Sequence, residues 1–220
     1  MLGNSKTIKS NQTEIHPDLE RVVRRHFESG YQKPAKQISL QIFEQISELA
    51  ERQNAPIILD SGCGTGESTV NIAKMHPAGF VIGIDKSETR IRKAGQKAES
   101  EQNYVIIRVE IVDFWRLARK AGWQLAHHFI LYPNPWPKKQ HLKRRWHAHP
   151  IFPDLLALGG TLHLRSNWKL YLEEFSRAVE ILTGKKSEVM DFKITEPVSN
   201  FEKKYFVSGQ GLYEYEINLS

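Results

Sequence analysis

Hydrophobic positions recur at helical spacing early in the chain and then gather into short apolar runs. From His16 to Phe27, the residues Leu19, Val22, Val23 and Phe27 repeat every three to four positions, which places them on one helix face. Pro17 suits a first helical turn. A second pattern from about Ala35 to Arg52 aligns Ile38, Ile42, Phe43, Ile46 and Leu49, and Asn54-Ala55-Pro56 ends it. Residues 1–13 carry no apolar period and read as a loose tail. Beyond them, strand candidates at Ile57–Leu59, Phe80–Ile84, Val105–Val109, Phe129–Tyr132 and Thr161–Arg165 alternate with helical stretches. The helices are expected near Glu67–Met75, Glu88–Glu101, Phe114–Ala121, Lys143–Leu158 and Tyr171–Leu182. Two late runs, Val189–Ile194 and Leu212–Leu219, follow with no helix expected between them. Strands alternating with helices specify an α/β fold with a parallel sheet covered on both faces, and the late pair an antiparallel edge.

Composition narrows the class. The chain has 220 residues, 40% hydrophobic and 25% charged, with 14 Gly and 10 Pro. These values exclude collagen-like, coiled-coil and wholly disordered chains. No apolar run approaches the ~18 residues of a membrane span, and Met1-Leu2-Gly3-Asn4-Ser5-Lys6 lacks the apolar core of a signal peptide. A lone Cys63 makes no internal disulfide, so a reducing cytoplasmic setting is expected. The net charge of +6 is unevenly placed. Between Phe114 and Pro153 there is no Asp or Glu, yet the window holds Arg116, Arg119, Lys120, Lys138, Lys139, Lys143, Arg144 and Arg145. It also holds five of the nine histidines: His127, His128, His141, His147 and His149. So local a positive field suits a polyanionic partner, nucleic acid foremost, over an ordinary solvated helix face.

Two acidic strand ends carry the first chemical signal. Asp60-Ser61-Gly62-Cys63-Gly64-Thr65-Gly66 follows the first strand, and its glycines permit a sharp turn and close approach of a ligand to the backbone. The dinucleotide fingerprint G-x-G-x-x-G would need glycine at position 67, where the chain has Glu67. A carboxylate at that helix start disfavours a pyrophosphate. Asp85 ends the second strand, where an acid accepts hydrogen bonds from ribose hydroxyls. A helix N-cap is the competing role, since Ser87 and Glu88 follow. A glycine loop hostile to phosphate beside a ribose-binding acid points to S-adenosylmethionine rather than NAD.

The most specific stretch is Tyr132-Pro133-Asn134-Pro135-Trp136-Pro137-Lys138-Lys139-Gln140-His141-Leu142-Lys143-Arg144-Arg145. Three prolines stiffen the backbone past the fourth strand, where open α/β sheets place their ligands. Trp136 can stack on a base, and the following cations can engage phosphates. The segment resembles the loop of the tRNA (guanine-N7)-methyltransferase family, Pro-Asp-Pro-Trp-Pro-Lys-Lys-x-His-x-Lys-Arg-Arg. The similarity runs from about residue 55 to the end. It takes in the glycine loop, the family's acid at Asp85, and a late Thr-x-Phe-Glu element matched by Ser199-Asn200-Phe201-Glu202. Three differences stand out. The family's first acid, usually Glu, is Asp60; the loop carboxylate is Asn134; and the Thr-Asp pair after strand five is Ser166-Asn167.

The resemblance implies a Rossmann-like S-adenosylmethionine-dependent methyltransferase fold: a mostly parallel seven-stranded sheet with helices on both faces and an antiparallel C-terminal edge. Residues 1–54 would form an N-terminal tail and helical extension, and residues 55–220 the methyltransferase domain. Asp60, Gly62, Gly64, Asp85 and Glu110 or Asp113 would bind the cofactor. Asn134 would stand at the methyl-transfer point, in place of a carboxylate. Lys138, Lys143, Arg144 and Arg145 would bind RNA through the basic segment 138–149, with Asn167, Ser199 and Glu202 around the base. Methylation at guanine N7 of tRNA, by a cytoplasmic monomer or homodimer without a membrane or metal, is the activity implied. The rivals are a methyltransferase with another acceptor, an exocyclic amine or a small molecule, and a non-catalytic RNA-binding relative. His141, His147 and His149 have no Cys or acid ligand close in sequence and read as phosphate contacts or solvated surface. Cys63 reads as a small filler, and Trp115, Trp123 and Trp146 as packing residues.

Overall fold

The computed structural model describes residues 5–94 and 103–220. Its centre is a seven-stranded sheet in the order β3-β2-β1-β4-β5-β7-β6. The strands are β1 (Ile57–Ser61), β2 (Phe80–Asp85), β3 (Tyr104–Arg108), β4 (His127–Leu131), β5 (Thr161–Ser166), β6 (Val189–Asp191) and β7 (Tyr213–Asn218). β1 to β5 pair in parallel, and β7 runs antiparallel to both β5 and β6. The strand order reverses between β1 and β4, the switch point at which open α/β sheets bind ligands.

Eight helices surround the sheet among the described residues: α1 (Leu19–Ser29), α2 (Gln37–Gln53), α3 (Glu67–Met75), α4 (Glu88–Ala94), α5 (Ile111–Lys120), α6 (Phe152–Leu156), α7 (Lys169–Thr183) and α8 (Asn200–Val207). Successive strand residues point to opposite faces, and the chain uses both. Leu59, Ile82 and Ile130 join the larger core with Val22 of α1, Phe43 of α2, Phe114 of α5 and Phe175 of α7. Ile58, Val81 and Phe129 pack on the other face with Ile72 and Ala73 of α3. Gly83 of β2 lets α3 come close, because a Cβ there would lie 2.2 Å from Thr69 Oγ1. The N-terminal helices thus share one core with the sheet. Among the described residues no helix is long and apolar enough to cross a membrane.

Four expectations need correction. The helix expected over Lys143–Leu158 is two 3₁₀ turns, Lys139–Arg144 and Trp146–Ala148, followed by the short α6. Pro150 accounts for the break before α6, while Pro153 sits in the first turn of α6, where proline is tolerated. Proline lacks an N–H and pushes the preceding residue out of the helical region, and His149 is accordingly extended at ψ 145°. A helix, α8, does stand between the two late strands. Its N-cap Ser199 accepts a hydrogen bond from Glu202 N at 3.2 Å, a pattern that Ser-x-x-Glu announces. The tail is not loose from Ser5 onward. Ser10 Oγ donates to Pro137 O at 2.5 Å, Asn11 Oδ1 accepts from Lys139 N at 3.0 Å, and Gln12 is buried. Phe27, expected on the apolar face of α1, is 57% exposed. The part of the expected Glu88–Glu101 helix beyond Ala94 lies outside the described residues.

Candidate active site

Leaving β1, the chain turns through Gly62, Gly64 and Gly66 at φ +84°, +60° and +77°, a region that favours residues without a Cβ. The amides of Gly62 and Cys63 both donate to Ile84 O at 2.8 and 3.1 Å, which ties this loop to the end of β2. Asp85 completes the tie. Its Oδ2 accepts from Gly64 N at 3.1 Å and its Oδ1 from Ser87 N at 2.7 Å. Asp85 thus forms a turn onto Ser87 rather than capping α4, which begins at Glu88, and the same carboxylate lines the cavity above the loop.

Asp60 is placed differently. It is buried beneath the loop, where its Oδ2 accepts from Ser68 Oγ at 2.6 Å and Thr69 Oγ1 at 2.7 Å. Burial pushes its carboxyl up to about 6, against the pull of those two hydroxyls. Asp60 fastens α3 to β1 and does not line the cavity. Glu110 and Asp113 also separate. Glu110 lines the cavity, whereas Asp113 is buried and accepts from Lys36 N at 3.1 Å and Ser39 Oγ at 2.8 Å. Asp113 therefore anchors α2 to α5. Cys63 is buried, and burial raises its thiol far above the usual range, which suits a filler.

The cavity has a volume of about 830 Å³ and lies at the carboxyl ends of β1, β2 and β4. One wall is Ser61, Gly62, Asp85, Glu110, Ile111 and Val112; the other is the loop from Tyr132 to Trp136 with Trp146, Phe201 and Tyr205. Tyr132 and Trp136 both hold left-handed backbone, at φ +53° and +46°, which is uncommon for aromatic residues and costs about 1–3 kcal/mol each. Between them Asn134 lines the cavity, its Oδ1 accepting from Trp136 N at 3.4 Å. Lys143 and Arg144 reach the cavity from the 3₁₀ turn, and the Arg144 guanidinium lies 4.7 Å above the Trp136 ring. His149 also lines the cavity. Burial, with His26 adding, lowers its imidazole to about 4, so it is neutral at pH 7.

The remaining expected base- and phosphate-binding residues divide. Lys138 is exposed but off the cavity wall. Arg145 and His147 are corrections. Both are fully buried, so neither offers its charge to a phosphate; Arg145 grips the Asn134 loop, and His147 Nε2 meets Glu174 at 3.1 Å. Ser199 caps α8. Glu202 is also fully buried: it accepts from Tyr132 Oη at 3.0 Å, Arg165 Nη1 at 3.0 Å and Val198 N at 2.7 Å. Asn167 lies away from the cavity wall, donating to Gln210 Oε1 at 2.7 Å, while Gln210 Nε2 donates to Ser5 O at 3.0 Å. Tyr132, Phe201 and Tyr205 are wall residues that sequence reasoning missed. The Ser-x-x-Glu cap would have found α8, and spacing of four places Phe201 and Tyr205 on one face of it. Trp146, expected to pack, both packs on Trp115 at 4.8 Å between ring centres and lines the cavity. Among the described residues no group of three His, Cys, Asp or Glu side chains is placed to hold a metal.

Comparison with known proteins agrees with this geometry. The tRNA (guanine-N(7)-)-methyltransferase of Nitrosococcus oceani is 31% identical over 177 residues, covering 76% of this chain and 73% of the relative. That of Pseudoalteromonas atlantica is 29% identical over 173 residues, covering 74% and 72%. Among solved structures, the 16S rRNA methyltransferase KamB superposes with a TM-score of 0.55 at 14% identity, covering 84% of this chain and 95% of that one. A 16S rRNA (adenine(1408)-N(1))-methyltransferase variant with S-adenosylmethionine as cosubstrate gives 0.51 at 16% identity, over 77% and 88%. At those identities the two structures establish a shared fold alone. The family described as "Putative methyltransferase" matches residues 54–215, most of the chain and the whole of the cavity's glycine loop and proline loop, and the protein belongs to that methyltransferase family.

Proposed function

We propose that the protein methylates N7 of guanine in tRNA, with S-adenosylmethionine as the methyl donor. One observation carries the reading: a single cavity joins a glycine loop and a strand-end carboxylate to the Asn134 loop, with Lys143 and Arg144 at its rim. The residues present fit the cofactor. A Cβ at Gly62 or Gly64 would meet nothing within 4 Å, so that backbone is open to a ligand. Asp85 Oδ1 accepts one backbone N–H, from Ser87, and keeps a lone pair for a ribose hydroxyl, while Oδ2 accepts from Gly64 N and lies 3.5 Å from Arg90 Nη1. Ile111 and Val112 offer an apolar wall for an adenine, and Glu110 an acceptor beside it. When bound, the cofactor supplies an electrophilic methyl on a sulfonium.

Guanine N7 attacks with a ring lone pair and loses no proton, so the chain need provide no general base. Its task is to hold the base rigidly in line. Trp136, Phe201 and Tyr205 give flat aromatic surfaces around Asn134, and base stacking on such surfaces is worth about 1–3 kcal/mol. Lys138, Lys139, Lys143 and Arg144 are exposed cations beside them and suit the RNA backbone.

The test is incubation with radiolabelled S-adenosylmethionine and unmodified tRNA, followed by nucleoside analysis. Label in 7-methylguanosine is expected. Label in another nucleoside would move the acceptor, and tRNA binding with no transfer would leave an RNA-binding relative. A titration of tRNA affinity against salt should slope steeply, since phosphate contacts release counterions.

A further inference from the structure

Four side chains meet beneath the Asn134 loop, and the chemistry above uses none of them. Arg145, His147 and Glu174 are fully buried and Gln12 nearly so. Arg145 Nε and Nη2 donate to Trp136 O at 3.2 and 3.1 Å, and Nη2 also reaches Lys138 O at 3.4 Å. Its Nη1 pairs with Glu174, and Nη2 donates to Gln12 Oε1 at 3.0 Å. Glu174 in turn accepts from Gln12 Nε2 at 2.5 Å, from His16 N at 2.9 Å and from His147 Nε2. Burial opposes the charge on Glu174, but His147 and Arg145 hold its carboxyl down at about 2. Burial lowers the His147 imidazole from its ordinary value, against the hydrogen bond and charge of Glu174, which raise it.

The same stretch of loop is held from its other side by the N-terminal segment. Ser10 Oγ donates to Pro137 O, and Asn11 Oδ1 accepts from Lys139 N. The carbonyls of Trp136, Pro137 and Lys138 and the amide of Lys139 are therefore all engaged by Arg145 or by residues 10 and 11. This is the segment in which Trp136 is held at φ +46°. A bulky residue persists there only where its surroundings over-determine the backbone.

We infer that Arg145 is a positioning residue for methyl transfer, and that Ser10–His16 is a strap completing its site. The inference rests on the methyl-transfer reading. Arg145 touches neither base nor cofactor in this scheme; it acts through Trp136 O, fixing where the Trp136 ring and the Asn134 amide face the cavity. A lysine could keep the charge but not the planar fork that reaches two carbonyls, Gln12 and Glu174 together.

The experiment uses the full chain with Gln12→Ala, Ser10→Ala, Ser10→Thr and Arg145→Lys. Gln12→Ala and Ser10→Ala leave the Arg145–Glu174 pair intact and decide the matter even if Arg145→Lys fails to fold. A displaced loop should lower kcat about tenfold or more, with the cofactor dissociation constant within about twofold of native because Asp85 and the glycine loop are untouched. Ser10→Thr, which keeps the hydroxyl, should recover turnover. Hydrogen exchange at the amides of Trp136, Lys138 and Lys139 should quicken in both alanine variants, and this readout needs no activity. If the native protein transfers no methyl group, the functional reading fails, while faster exchange still supports the strap. Unchanged exchange and kcat in both alanine variants would overturn the inference, as would losses that follow cofactor affinity or thermal stability alone.

Discussion

Replacing Glu202 by Gln separates two roles for one buried carboxylate. The family resemblance gives Glu202 the edge of the base; the structure gives it three protein donors and no exposure. In Glu202→Gln the amide oxygen best takes the position facing Arg165 and Tyr132, which leaves its NH₂ opposed to the Val198 N–H. An unsatisfied buried donor costs about 1–3 kcal/mol, and turning a charge-assisted bond to Arg165 into an ordinary one costs about 1 kcal/mol more. Arg165 keeps a weaker carboxylate, Glu214, at 3.7 Å and the Phe192 ring at 3.8 Å, which caps the loss. The sum is about 2–4 kcal/mol, or a fall in Tm of roughly 5–15 °C for a chain of this size. Urea unfolding followed by circular dichroism measures it. If Glu202→Gln unfolds within about 0.5 kcal/mol of native (a surface-like effect) yet loses guanine methylation, the fastening argument fails and the residue belongs to base recognition.

Asp60 should give stability a definite pH dependence. Its folded value of about 6 lies above the ordinary 3.8, so the folded state binds the proton more tightly. The stability this contributes is full below pH ~4 and is lost as pH rises through ~6, by at most about 3 kcal/mol. Thermal melts from pH 4 to 8 should show that slope in the native chain and lack it in Asp60→Asn; parallel curves would refute it. Gly83→Ala should destabilise by about 1–3 kcal/mol, because the new Cβ overlaps Thr69. Pairing it with Thr69→Ala should recover part of that loss in a double-mutant cycle, and simple additivity would count against the overlap. Asn167→Asp should cost about 1 kcal/mol, since Gln210 must turn and release Ser5 to suit a carboxylate. Asn134→Asp keeps its one acceptor contact and should leave unfolding unchanged. It should raise kcat about tenfold or more by opposing the positive charge that develops on the purine; a fall in initial rate would refute that.

Much of the fold was legible because strand and helix periods alternate cleanly. Each apolar run from Ile57 to Arg165 is short, ends in a polar residue or turn, and became a strand. Asp85 and Asn134 could be placed on a ligand cavity from sequence because position in a parallel sheet decides what the end of a strand can reach, whereas only the structure separates Glu110 on the wall from Asp113 in the core. What stayed hidden was burial of charge. Lys143, Arg144 and Arg145 look equivalent as a run of cations, and the resemblance treats them alike. Yet the chain is extended at Arg145, with ψ 143°, and this turns one of the three inward to Glu174, which lies 29 residues later. No local pattern encodes a partner so distant. The tail was misread for a related reason: Ser10, Asn11 and Gln12 have no apolar period because they are held by hydrogen bonds rather than by apolar packing. The two amides of the family pattern diverge on the same ground. Asn167 uses its NH₂ on Gln210, and Gln210 holds the tail, so that amide is part of the protein's own framework. Asn134 uses only its oxygen, on the next turn of its own loop. Its NH₂, the group that distinguishes it from an aspartate, has no such partner among the described residues, and Asn134 lines the cavity.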